Sequence, residues 1–267
     1  MTSTGTYHSQ GLTRGLAVLR VLGQAQEPMT LAELSKSMEM PKSTLLRLLS
    51  VMDDERFVAR AGDPPVYSLG PSVFEIAESL DAADLVTIAY SALKALAEQL
   101  GFTTNLGVLQ GASVLHLCVE EPERALRIAA GGFLDHTYCT GLGKMLLSTL
   151  DDDQIDAHLP VGEPWESFTP RTITTRAALA QDLKRIREHG YSVDDQERNR
   201  GVRCIAVLVP TNSSFALSLS ASGPMGEVTE ADVPRVLEAL RNTAHTLAEL
   251  PQMTSALESV RTRWGIS

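Results

Sequence analysis

Lys42, Ser43, Thr44 and Arg47 carry hydrogen-bond donors at a spacing that puts them at one end and on one side of a helix. Pro41 can open that helix, because proline needs no N–H in a first turn. Leu45, Leu48, Leu49 and Met52 then recur as an apolar stripe, which turns Ser43, Arg47 and Ser50 outward. Free backbone donors at a helix start attract anions. Arginine pairs with a guanine edge, and serine and threonine pair with phosphates or bases. Arg56 and Arg60 flank the segment that follows, and Arg14 lies near the start of an earlier helix; all three suit phosphate contacts. The plain alternative is a solvated helix with a basic end. Glu33, Glu39, Asp53, Asp54 and Glu55 weigh toward it unless they point away from a bound duplex.

A second set of polar residues lies far downstream. Ser218, Ser220 and Ser222 alternate with Leu217, Leu219 and Ala221, so the serines share one face of a strand and the apolar residues the other. That face is either solvated or lines a cavity. Arg127 alternates with Leu126 and Ile128 and faces away from them, as a solvent-facing residue or as a bidentate clamp on an anion, with Arg124 as a competitor. Gly141 and Leu142 begin a helix that runs through Lys144, and their N–H groups are placed to bind a carboxylate. His116, His136, Cys139, Asp194 and Cys204 form a metal or cysteine-nucleophile site only if the fold assembles them; their spacings match no catalytic signature.

The elements that position these residues are legible. Leu12, Leu16, Leu19 and Leu22 recur at helical spacing before Gly23 and Pro28. Thr30 and Glu33 have capping-box spacing ahead of a short helix through Leu31, Leu34 and Met38. The helix opened by Pro41 follows. Two β-prone runs, 57–60 and 66–70, then flank an Ala-Gly-Asp-Pro-Pro turn. Three helices and a hairpin in about 60 residues make a winged helix-turn-helix. Residues 71–80 read as a helical connector, and a helix over 84–100 ends at Gly101. Strands are expected at 104–109, 114–119, 125–129, 191–194, 202–209 and 215–221. Helices are expected at 143–150, 151–158, 176–189 and 230–250, with a helical tail at 253–264. That order predicts an α+β domain with a largely antiparallel sheet.

The 267 residues fit one large domain or two ordinary ones, and 43% hydrophobic with 21% charged residues supports a packed core. No stretch reaches the roughly 20 apolar residues of a membrane span. Residues 1–10 are polar, without the apolar core of a signal peptide, and Cys118, Cys139 and Cys204 are too sparse for a disulfide framework. A loose N-terminus and a cytoplasmic setting are therefore expected. The net charge of −10 disfavours nucleic acid only if it is spread evenly.

Two blocks resemble one family. Residues 11–19 (Gly-Leu-Thr-Arg-Gly-Leu-Ala-Val-Leu) and 41–49 (Pro-Lys-Ser-Thr-Leu-Leu-Arg-Leu-Leu) resemble the DNA-binding domain of IclR-type bacterial regulators. Residues 190–197 (Gly-Tyr-Ser-Val-Asp-Asp-Gln-Glu) and 201–206 (Gly-Val-Arg-Cys-Ile-Ala) are similar to that family's effector-domain signature, and 140–144 and 220–224 fit as well. The resemblance spans residues 11 to 250. It implies a GAF-like effector domain with a curved antiparallel sheet flanked by helices. It also implies pairing through the DNA-binding domains, as a homodimer or a dimer of dimers, and repression or activation of a catabolic operon tuned by a metabolite. His136-Thr137-Tyr138-Cys139-Thr140 looks like the branch that controls aromatic-acid catabolism.

By this resemblance Asp194, Cys204, Ser220 and Ser222 reach the effector cavity, joining Gly141, Leu142 and Arg127. Operator DNA would meet Arg14, Lys42, Ser43, Thr44, Arg47 and Arg60. The expected organisation is a disordered 1–10, a winged helix-turn-helix over 11–70, a linker helix over 71–83, the effector domain over 84–250 and a helical tail over 251–267. No enzyme activity, cofactor or metal is called for, and no membrane partner. The rival readings are an enzyme, a pocket holding a divalent metal without turnover, and an interaction module with a vestigial DNA-binding domain.

Overall fold

A computed structural model describes residues 9–25, 27–78, 83–123, 134–211, 213 and 216–264, in two compact units, Met1–Leu80 and Asp81–Ser267. The first unit runs α1 (Gln10–Gln24), β1 (Met29–Thr30), α2 (Leu31–Ser37), α3 (Lys42–Asp54), β2 (Val58–Ala61), β3 (Val66–Leu69) and α4 (Pro71–Glu78). Thr30 caps α2, and the reciprocal bond to Glu33 completes the capping box. Its Glu33 carboxyl sits below the usual range, held there by the Thr30 backbone and hydroxyl. Val18, Leu22, Leu34, Leu45, Leu49, Val58 and Tyr67 form one core, and β3 pairs antiparallel with both β1 and β2. Of the four periodic leucines of α1, Leu22 is buried, whereas Leu12 and Leu16 are 64% and 46% exposed. Val18 takes the central place instead, because the face of α1 toward α3 is offset from the leucine stripe.

The second unit opens with α5 (Ala83–Leu100) and the hairpin β4 (Thr103–Gln110) and β5 (Ser113–Glu120). It continues with β6 (Leu134–His136), α6 (Gly141–Leu147), α7 (Asp152–Ile155), α8 (Arg176–His189), β7 (Ser192–Asp195), β8 (Val202–Val209), β9 (Leu217–Pro224), α9 (Val233–Ala248) and α10 (Met253–Trp264). The strands form one antiparallel sheet in the order β6-β5-β4-β9-β8-β7. Leu106, Ile205, Val207, Leu219 and Ala221 point to one side and pack with residues of α5, α9 and α10. The other side receives Leu142, Leu146 and Leu147 of α6 and Leu179, Leu183 and Ile186 of α8. Thr175 caps α8, and Gly190 ends it with φ 72°, a left-handed conformation that glycine adopts without a Cβ penalty. The short strand β6 has no counterpart among the expected elements, and the strand expected at 125–129 lies outside the described residues. Among the described residues no helix is long and apolar enough to cross a membrane.

Candidate DNA-binding face and effector pocket

In the first unit α3 buries Leu45 and Leu49 and leaves Lys42, Ser43, Arg47 and Ser50 exposed, with Thr44 half-buried. Pro41 is the N-cap and makes no side-chain cap bond. Its carbonyl accepts from Thr44 and Leu45, while the Lys42 and Ser43 N–H groups have no acceptor among the described residues. Arg14 on α1 and Arg60 on β2 are exposed. Arg56 is held by Glu75 at 3.3 Å. Of the acidic residues, Glu39 is exposed only three residues ahead of Lys42. Glu33 is engaged with Thr30, and Asp53 lies about 16 Å along the axis from Lys42 at 1.5 Å per residue.

In the second unit a pocket opens between α6 and the sheet, enclosing about 610 Å³, part of it open to solvent. Cross-strand partners share a face, so the registers Asp194↔Cys204↔Ser222↔Thr103 lay one row of side chains across four strands. Ala206↔Ser220↔Asn105 forms the next row. Both rows meet α6, and Thr103, Asn105, Thr140, Gly141, Leu142, Asp194, Cys204, Ser220 and Ser222 all line the pocket. Asn105 donates to the Ser220 hydroxyl at 3.3 Å. Ser218 lies on the same side but gives its hydroxyl to the Val207 carbonyl and does not line the pocket.

Glycine lets α6 lie this close. A Cβ on Gly141 would come within 2.8 Å of Cys204 Sγ, and one on Gly143 within 2.3 Å of the Thr137 carbonyl oxygen. Lys144 is fully buried one residue on. Its ammonium meets Asp182 at 2.8 Å, the Val193 carbonyl at 2.7 Å and, more closely still, Glu197. Burial opposes its charge, but the Glu197 and Asp182 carboxylates outweigh it and hold the lysine pKa above the ordinary value.

The loop after β7 presents an arginine that local sequence did not single out. Asp194 Oδ1 accepts the backbone N–H of Glu197 at 2.6 Å and of Arg198 at 3.3 Å. Thr169 and Thr172 fasten the same loop through the Gln196 and Glu197 carbonyls. Arg198 thereby enters the pocket lining, with its guanidinium 4.2 Å from the Phe168 ring centroid and its Nε–H donated to Asp135 at 2.6 Å. Among the described residues nothing accepts its terminal Nη–H groups, the pair that fits a carboxylate side by side. Burial, then the charge of Glu197, pushes the Asp194 carboxyl up to about 7. The Cys204 thiol is pushed up to about 11, chiefly by burial, and Cys139 is pushed higher still. Both therefore stay protonated near neutral pH, unlike a thiolate nucleophile. No three His, Cys, Asp or Glu side chains are placed to hold a metal among the described residues.

Residues 11–62 match the family model described as the IclR helix-turn-helix domain, and 77–249 match the model for the bacterial transcriptional regulator IclR C-terminal domain. The chain belongs to the IclR family. It is 30% identical to the transcriptional repressor IclR of Escherichia coli over 236 residues, covering 86% of this chain and 85% of the relative. An IclR-family regulator structure from Alicyclobacillus acidocaldarius superposes with TM-score 0.69 at 27% identity, over 90% of this chain and 98% of that one. The inducer-binding domain of an Acinetobacter PobR double mutant, solved with 3-hydroxybenzoic acid, aligns with TM-score 0.56 at 27% identity over 62% and 98% of the two chains.

Within this IclR-family framework, Gly141, Leu142, Asp194, Cys204, Ser220 and Ser222 come together at one pocket, while Arg127 and Arg124 lie outside the described residues. Arg14, Lys42, Ser43, Arg47 and Arg60 are exposed in the other unit. Arg198, Asp135, His116 and Asn105 complete the pocket lining. Asn105 was accessible in principle, since it lies two residues from Thr103 and shares its face of the strand. Arg198 had no such signal, because its position depends on Asp194 folding the loop and on Phe168 at 30 residues' remove.

Proposed function

We propose that this IclR-family chain is a sequence-specific regulator of a catabolic operon whose operator affinity is set by a small carboxylate, aromatic acids among them. The observation that carries the effector half is Arg198. Its terminal Nη–H groups have no acceptor among the described residues. The pocket is otherwise lined by hydroxyls, amides, a thiol, the His116 ring, apolar Leu142 and Val202, the Asp194 carboxyl and the Asp135 carboxylate that Arg198 already engages through Nε–H. Stacking on Phe168 and the bond to Asp135 fix the plane of the guanidinium before a ligand arrives, which reduces the ordering cost of binding. The Acinetobacter relative solved with 3-hydroxybenzoic acid supports the choice of acid class.

The DNA half rests on the exposed polar edge of α3. A homodimer paired through the first unit, as such or within a dimer of dimers, is the working assembly, and the exposed Leu12 and Leu16 of α1 support it. Two recognition helices in a dimer must match half-sites about one helical turn apart. An acid that binds one arrangement of the subunits better than another shifts that match, and its differential affinity sets the limit of the response. This reading places the protein with the chromosome, in the cytoplasm.

The test is fluorescence anisotropy of the full-length protein on the DNA upstream of its own gene, at fixed salt, titrated with a panel of small acids that includes benzoate and its hydroxy derivatives. The expected result is salt-dependent specific binding that at least one acid shifts by about ten-fold or more. Absence of specific binding overturns the regulator reading. Specific binding indifferent to every acid overturns the effector class.

A further inference from the structure

A β-bulge in β5 decides which side of the sheet His116 faces. Leu106 pairs with Cys118 and Gly107 pairs with His116, so Leu117 is the extra residue. Leu117 and Cys118 both enter the core beside α5 and α9, where strict alternation would send one of them to the opposite face. The shift in phase puts His116 on the pocket face, across from Gly107. A Cβ on Gly107 would lie 3.0 Å from the Leu115 carbonyl oxygen and 3.2 Å from Leu142 Cδ1. Opposite the imidazole, therefore, the partner strand contributes no side chain.

The ring lines the pocket together with Asn105, Asp135 and Arg198. Among the described residues no hydrogen bond holds either ring nitrogen, and Nδ1 is shut off from solvent without a partner. Burial lowers the pKa of His116, against the smaller pull of Asp135, and keeps the ring neutral at neutral pH. A neutral imidazole offers one donor and one acceptor. A hydroxyl can play either complementary role and so fits either tautomer, whereas a carboxylate can only accept and would meet the Asp135 charge nearby.

We infer that His116 is a specificity-determining residue that hydrogen-bonds a hydroxyl group of the effector, so that the pocket selects a hydroxylated small acid over the same acid without the hydroxyl. The inference rests on the acid-effector reading and assigns the two ends of the ligand, the carboxylate to Arg198 and the hydroxyl to His116. An unanchored neutral histidine in an arginine-bearing pocket is otherwise a polar group without employment.

The experiment is calorimetric titration of the full-length protein and its His116→Phe variant with benzoate, 3-hydroxybenzoate and 4-hydroxybenzoate. Phenylalanine keeps an aromatic ring and removes both nitrogens. The wild type is expected to prefer one hydroxybenzoate to benzoate by about ten-fold, the worth of one good hydrogen bond. The Phe variant is expected to bring that ratio within about two-fold, whatever its absolute affinity for benzoate becomes. His116→Gln, which retains a donor and an acceptor, is expected to recover part of the preference, and it carries the test if the Phe variant does not fold. A hydroxyl preference left intact by both substitutions overturns the role of His116 but not the acid effector. Failure of the wild type to bind any of the three acids overturns the role of His116 toward a hydroxybenzoate, and the acid class itself then stands or falls with the wider acid panel.

Discussion

Arg198 donates its Nε–H to Asp135 Oδ1 at 2.6 Å, joining the loop after β7 to the strand β6 at the far edge of the same sheet. The same carboxylate oxygen accepts the His136 N–H at 2.8 Å. Asp135 therefore orients the guanidinium by its side nitrogen and leaves the terminal pair for a ligand.

Replacing Arg198 with Ala is expected to weaken acid binding by about 10- to 100-fold, the range for hydrogen bonds to a charged partner. Operator affinity without acid should stay within about two-fold, since the substitution lies in the other unit. Arg198→Lys restores the charge but not the planar fork, and is expected to recover only part of the loss. Calorimetry with the acid that shifts operator binding checks this. An Ala variant with wild-type acid affinity returns the clamp role to Arg127 or Arg124.

Asp194 makes stability depend on pH in a stated direction. Its carboxyl is held near 7 in the folded chain against an ordinary value of 3.8. Between those pH values the folded state keeps a proton that the unfolded state has lost, so stability falls as pH rises from about 4 to about 7 and then levels. The slope from this one group cannot exceed about 1.4 kcal/mol per pH unit. Asp194→Asn keeps an acceptor for the Glu197 and Arg198 N–H groups and removes the titration. Urea midpoints measured from pH 5 to 8 are expected to fall more steeply for the wild type than for the Asn variant. Parallel curves would refute the assignment.

What the sequence made legible was whatever local chemistry decides. The Thr30–Glu33 capping box, the span of α8 over 176–189 and the apolar run of β8 are all readable within a few residues. The pocket serines were readable as a face by their period of two, although not as buried or exposed. The bulge in β5 was hidden because Leu117 and Cys118 are both apolar, so nothing in the pattern marks the slipped phase. The exposed Leu12 and Leu16 show the same limit from the other side, since periodicity identifies a helix face without saying what covers it. Arg198 was out of reach because residues 30 and 63 positions away hold it.

On α3, Lys42 and Arg47 are expected to fail differently when replaced with Ala. Lys42 at the helix start suits a phosphate, so its loss should weaken binding to all sequences alike and lower the salt slope by about one. Arg47, one turn further along the exposed side, suits a base edge, so its loss should cost about 1–3 kcal/mol on the operator and relax preference at one base pair. Anisotropy on the operator and on scrambled DNA at several salt concentrations separates the two. If both variants bind like the wild type, another surface meets DNA.

Gly141 and Gly143 invert the usual effect of alanine in a helix. Exchanging glycine for alanine ordinarily favours an α-helix by about 1 kcal/mol. At 143 the new methyl would press on the Thr137 backbone, which has little room to move, so Gly143→Ala is expected to prevent native packing of the second unit. At 141 the nearest atom is Cys204 Sγ, and the next nearest are the Cys204 and Ala206 Cβ atoms at 3.5 and 3.6 Å, ordinary contact distances. Gly141→Ala alone should cost about 1–3 kcal/mol by overpacking. In a Cys204→Ala background most of that cost should vanish. Urea unfolding of the four proteins of this cycle measures the coupling, and additive effects would mean that α6 does not rest on Cys204.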